Sequence, residues 1–131
     1  MDSIELSTRS RTEMIDVTRK IAESVEKSGI KEGTCTIYVP HTTAAVTINE
    51  GADPSVKADV INTLNRLVPF EADYSHMEGN SAAHIKFTLV GVSRTVPITG
   101  GGLALGTWQS IFFCEFDGPR RRRILVTISG R

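Results

Sequence analysis

All three histidines of this chain fall in two short polar stretches, "HTTAAVTINE" at 41–50 and "HMEGNSAAHIK" at 76–86. His41, His76 and His84 belong to separate elements, and three protein ligands with an open fourth position are the layout of a catalytic zinc. Spacing alone does not bring the three together. The alternative is three unrelated imidazoles, each satisfied by backbone or water. No HExxH or paired C-x-x-C pattern decides between them. Glu78 stands in a loop between two of the histidines, where a carboxylate can serve as a general base. Of the other carboxylates near loops or strand ends, Asp53 fits a helix N-cap and Asp117 the first position of a "DGPR" turn. Both stretches surround a few long polar groups with Thr, Ala, Ser and Gly. Small side chains leave open space over the polar ones, which is how a pocket is lined rather than a core.

Two further motifs carry charge or backbone donors. The run "TGGGLALGTWQ" at 99–109 has the glycine content of an anion nest, but lacks the G-K-[ST] of a phosphate loop, and a plain hairpin connection explains it as well. The run "RRRR" at 120–123, placed on a strand, sends Arg120 and Arg122 to one side and Arg121 and Arg123 to the other. One pair could line an anion site; the plain explanation is a charged edge strand that resists aggregation.

The elements that must position these groups follow from periodicity. "SIELS" at 3–7 alternates as a strand. Ser10 and Glu13 match a capping box. Met14, Val17, Ile21 and Val25 then follow at helical spacing up to Gly29, which predicts a first helix over about 11–28. "TCTIYV" at 34–39 and "AAVTIN" at 44–49 read as strands. Asp53 and Pro54 open a second helix that Pro69 ends. Residues 70–82 form a loop. "AHIKFTLVGV" at 83–92, "RTVPIT" at 94–99, "WQSIFFCEF" at 108–116 and "RRILVTIS" at 122–129 read as strands. The expected fold is α+β: one large, mainly antiparallel sheet with two helices on a face, in a single domain over 1–131.

Bulk composition narrows the function class. The chain has 131 residues, 40% apolar and 23% charged, with zero formal net charge, which suits a soluble globular domain and argues against a general nucleic-acid or membrane-surface binder. Its first residues are charged and unlike a signal peptide, and no segment nears the roughly 20 apolar residues of a membrane span. Cys35 and Cys114 sit apart in strand-like runs, as buried thiols of a cytoplasmic protein rather than a disulfide framework.

"PHTTAAVTINE", "HMEGNSAAHIK", "GGGLALGTWQSIF" and "EFDGPRRRR" closely resemble the signature stretches of the YjbQ family, in order and over nearly the whole chain. That resemblance implies an α+β sheet protein, a homotrimer, and a weak, secondary thiamine-phosphate synthase activity acting on small phosphorylated metabolites. It further implies a divalent metal, zinc or magnesium, on His41, His76 and His84. Glu78, Asn80, Ser81, Lys86, Thr107, Gln109 and Arg120 would line the pocket. In such a synthase, Lys86, Arg120 and the glycine-loop amides would stabilise departing pyrophosphate. Glu78 would be the base if the chemistry were instead metal-assisted hydrolysis of a phosphorylated metabolite. A third possibility for the same pocket is ligand binding without turnover.

Overall fold

A computed structural model describes residues 1–131. The order of elements is β1 (Asp2–Ser7), β2 (Glu13–Asp16), α1 (Thr18–Ser28), β3 (Gly33–Tyr38), β4 (Ala44–Glu50), α2 (Pro54–Leu67), α3 (Ser81–Val90), β5 (Ser93–Thr99), β6 (Gly102–Leu103), β7 (Gln109–Glu115) and β8 (Arg121–Gly130). The α+β class with antiparallel pairing stands. The strands divide into a five-stranded sheet, β1-β8-β3-β5-β6, and a three-stranded sheet, β2-β7-β4. There are three helices rather than two.

Strand β7 explains this layering. Its "IFFCE" run is buried on both faces, which is what a continuous apolar stretch in a strand signifies. Ile111 and Phe113 point into a core shared with α1 residues Val17, Ile21 and Val25 and with Ile37, Val96, Ile124 and Val126 of the large sheet. Phe112 and Cys114 point the other way, into a smaller core with Met14, Ala45 and Ala83. There they meet Ile61 and Leu64 of α2 and Phe87 of α3. The small sheet is thus the middle layer of the molecule.

Two expected elements differ. The helix expected over 11–28 starts only at Thr18, because Met14 and Ile15 pair with Cys114 and Phe113 as strand β2. The Glu13 carboxylate does accept the Ser10 amide at 2.8 Å, and that of Arg9 at 2.6 Å, but it closes a turn rather than a helix. The strand expected over 83–92 is helix α3. Its small residues Ala82 and Ala83 are buried, letting the helix lie close on β4, while Ile85 and Leu89 face outward. Helix propensity is a weak prior either way, and tertiary packing settled it. Helix α2 forms as expected: the Asp53 side chain accepts the Ser55 amide at 2.9 Å, with Pro54 at the first helical position.

The four-arginine run is not a charged edge. Strand β8 lies between β1 and β3, with partners on both sides. Arg122 shares its inward face with Ile124 and Val126 and is buried; Arg121 is exposed and meets Glu5 at 3.3 Å. The Arg120 Nη2 donates to the Asp117 carboxylate at 3.0 Å.

Candidate functional site

Period-2 geometry sends Glu115 to the same face of β7 as Ile111 and Phe113, so its carboxylate enters the space between the two sheets. Arg122 enters the same space from β8. The two meet fork to fork: the arginine Nε donates to Oε1 at 2.8 Å and Nη2 to Oε2 at 2.5 Å. The Thr8 hydroxyl donates to Glu115 at 2.7 Å and the Asp117 amide at 2.9 Å, while Arg122 also donates to the Thr43 hydroxyl at 2.9 Å. Both side chains are almost wholly enclosed, Glu115 at 0% exposure and Arg122 at 5%. Burial pushes the Glu115 carboxyl up. The Arg122 hydrogen bonds and the donors from Asp117 and Thr8 outweigh it, and the net position is below the usual carboxylate range. Both carboxylate oxygens and two of the three guanidinium nitrogens, Nε and Nη2, are answered from within the chain. The pair is a clamp between sheets.

Lys86 is different. It faces inward from α3 with 0% exposure, yet its ammonium has a single protein acceptor, Asn65 Oδ1 at 2.6 Å. Asn65 is held in turn by donating to Thr12 Oγ1 at 3.3 Å. No carboxylate lies within 4 Å of Lys86. Its nitrogen sits 4.3 Å from the Phe70 ring centroid, and the Arg11 guanidinium sits 3.8 Å from the same centroid. Burial, with the Arg11 charge added, lowers the Lys86 amine to about 8. Arg11 is exposed, forms no ion pair and donates no side-chain hydrogen bond within the protein. Its backbone is held by the Gly118 amide, which donates to the Arg11 carbonyl at 3.0 Å. Gly118 has no room for a side chain, because a Cβ there would overlap the Ser10 carbonyl oxygen.

Arg11 and Phe70 form one side of a cleft of about 250 Å³, completed by Glu71, Ala72, Tyr74, His76, Gly79 and Ser81. The Tyr74 hydroxyl donates to the Pro69 carbonyl at 2.6 Å and ties down the loop. Ser81 opens α3, so the positive end of that helix faces the same region. His76 and His84 pack edge to face with centroids 5.3 Å apart, and His76 lies 3.8 Å from Glu78. Asn80 donates through Nδ2 to Asp117 at 2.9 Å, which leaves its buried Oδ1 without a partner, an acceptor for water or a ligand donor.

The expected site residues therefore separate. His76, Ser81 and His84 gather near the cleft, with Glu78 beside His76 and Lys86 behind Phe70. Asn80 and Arg120 both bind Asp117. Thr107 and Gln109 lie at the end of β7 opposite Glu115, where Gln109 Oε1 accepts the Gly106 amide at 2.8 Å. His41 is engaged elsewhere. Its Nε2 accepts the Arg123 amide at 3.1 Å, and burial, followed by the Arg122 charge, holds it below the usual imidazole range.

The three-histidine metal centre is corrected on these grounds. The Nε2 lone pair of His41 is already used, His76 and His84 face each other without a third ligand, and no group of three or more His, Cys, Asp or Glu side chains is placed to hold a metal. The residues do not fit a resident zinc or magnesium at that cluster. Arg11, Asn65, Phe70 and Tyr74 escaped sequence reasoning. The available signal was a lysine on the face of a segment otherwise apolar, which demands a partner from elsewhere.

Comparison with known proteins places the chain. The family model described as "UPF0047 protein YjbQ-like" matches residues 2–131. A UPF0047 protein of Methanocaldococcus jannaschii is 54% identical over 96% of this chain and 91% of its own length. The UPF0047 protein YugU of Bacillus subtilis is 47% identical over 99% of each. The crystal structure of an uncharacterised conserved protein of the same family from Clostridium acetobutylicum superposes with a TM-score of 0.97, at 45% identity, over 98% of this chain and 100% of that one. These relatives carry the family designation alone and none is named a thiamine-phosphate synthase, so that activity, together with the metal-dependent chemistry built on it, is withdrawn. By coverage and identity alike, this chain belongs to the YjbQ-like UPF0047 family.

Proposed function

We propose that this protein binds a small anionic ligand in the cleft between the 70–79 loop and the start of α3. A small phosphorylated metabolite falls within that class. One observation carries the reading: two cations without acid partners, Arg11 and Lys86, converge on Phe70 at the cleft wall. An ammonium has three donors, and a buried one with a single neutral acceptor is costly unless a negative charge compensates it. Arg11 is the group that would contact the anion, through a fork of donors suited to phosphate or carboxylate. Lys86 would act from behind the ring, raising the positive potential where the dielectric is low.

The test is titration with inorganic phosphate, pyrophosphate and acetate, followed by calorimetry and thermal melting. Anion at 100 times its Kd should add about 2.7 kcal/mol of stability. Arg11→Ala should weaken binding at least tenfold, and Lys86→Met severalfold. Absence of binding by every one of these anions, or equal binding in both variants, overturns the reading.

We also infer assembly as a homotrimer in the cytoplasm. Exposed apolar side chains, Trp108 at 65% and Met77 at 98%, support burial in an assembly, and two free buried thiols suit a reducing compartment. No helix is long and apolar enough to cross a membrane. Light scattering that returned the mass of one 14.3 kDa chain, rather than three, would overturn the trimer.

A further inference from the structure

The cleft has a neighbour. Asp73, Tyr74, Ser75, His76, Ser81, His84 and Ile85 border a second, more open cleft of about 490 Å³. Three of these residues, Tyr74, His76 and Ser81, also line the first. The two clefts are thus chambers of one groove with a shared wall. The first chamber holds the only full cation of the groove, Arg11, which pairs with no carboxylate within 4 Å although Glu71 also lines that chamber; Asp73, the only carboxylate in the second, has no cation within 4 Å and accepts no side-chain hydrogen bond. Were the two charges serving the fold, each would gain by pairing with its neighbours, as Arg121 does with Glu5 and Arg120 with Asp117.

We propose that the groove is specific for a bipolar ligand, a small metabolite with a phosphate or carboxylate at one end and an amine at the other. The anion sits by Arg11. The amine reaches Asp73, whose carboxylate answers its charge. The imidazoles of His76 and His84, 5.3 Å apart at the junction, hydrogen-bond the atoms between. Complementary charge at both ends favours such a ligand over a simple anion, which leaves Asp73 unanswered, and over a simple amine, which leaves Arg11 unanswered. This inference rests on the anion-binding reading and adds to it a second recognition point.

The experiment compares three probes on the full chain by calorimetry: O-phosphoethanolamine, inorganic phosphate and ethanolamine. Phosphoethanolamine is expected to bind at least tenfold more tightly than phosphate. Asp73→Asn should remove that advantage and leave phosphate affinity unchanged, while Arg11→Ala should weaken both phosphate-bearing probes. If phosphoethanolamine and phosphate bind alike, with both still sensitive to Arg11→Ala, the bipolar reading is overturned and the anion site survives. A tenfold advantage that persists in Asp73→Asn also overturns it. If neither phosphate-bearing probe binds, both readings fall together.

Discussion

Two buried cations in this molecule have opposite histories. Arg122 enters the space between the sheets and finds Glu115 waiting, with Thr8, Thr43 and the Asp117 amide completing the set. Lys86 enters beneath α3 and finds one amide oxygen and an aromatic ring. In the first case the chain supplies a carboxylate that answers the charge, so none is left over for a ligand. In the second the chain stops short, and the nearest charged neighbour, Arg11, repels it. Buried charges are tolerated where they are paired. A completed set marks a structural clamp; an incomplete one beside a cleft marks a place where something else is expected to bind.

The comparison breaks if the clamp proves dispensable. Glu115→Ala leaves Arg122 buried and uncompensated and should cost about 3–5 kcal/mol in chemical denaturation. The wild type should also lose stability in acid. A folded-state carboxyl held below its usual position contributes stability that is present above the ordinary value, 4.5 for this group, and is lost as pH falls below it. The Glu115→Ala variant should show a shallower acid decline. A variant within about 0.5 kcal/mol of wild type, the usual range for an ordinary surface change, would make the pair ornamental.

The smaller effect sharpens the other half. Lys86 has a folded-state position of about 8 against an ordinary 10.5. Between those values the unfolded chain holds the extra proton, so stability should rise with pH from about 8 to 10.5, and the charged lysine should cost stability below 8. Lys86→Met should flatten that alkaline rise, seen as thermal midpoints across the range. If the rise persists unchanged in the variant, Lys86 is not a strained cation and the contrast with Arg122 fails.

Much of the framework was legible. Asp53–Pro54 announced α2, "TCTIYV" announced β3, and "WQSIFFCEF" announced β7, because capping chemistry and β-branched or apolar runs act locally. Helix α3 was not legible. Its residues Ile85, Phe87, Thr88, Leu89 and Val90 suit a strand in isolation, and only the fit of Ala82 and Ala83 against the small sheet made the helix the better solution. That misreading displaced the site, since a strand would put His84 and Lys86 on one face, whereas on the helix they point to different sides and only Lys86 is fully buried.

The sequence by itself determined that the chain is an α+β protein and that His41, His76, His84, Glu78 and Lys86 lie in two stretches rich in small residues. Types and short-range spacing carry that information. The reading of those stretches as pocket lining rather than core is corrected, since Ala44, Ala45, Val46, Ala83 and Lys86 are buried. Which of the polar groups meet is a matter of contacts between residues far apart in the chain, such as Arg11 with Phe70, Lys86 with Asn65, and Arg122 with Glu115 across two sheets. Only the tertiary structure decided that the histidines divide, that one arginine of four is locked away, and that a lysine is left buried with its charge unanswered. Burial and charge compensation are properties of the assembled environment, which no local pattern records.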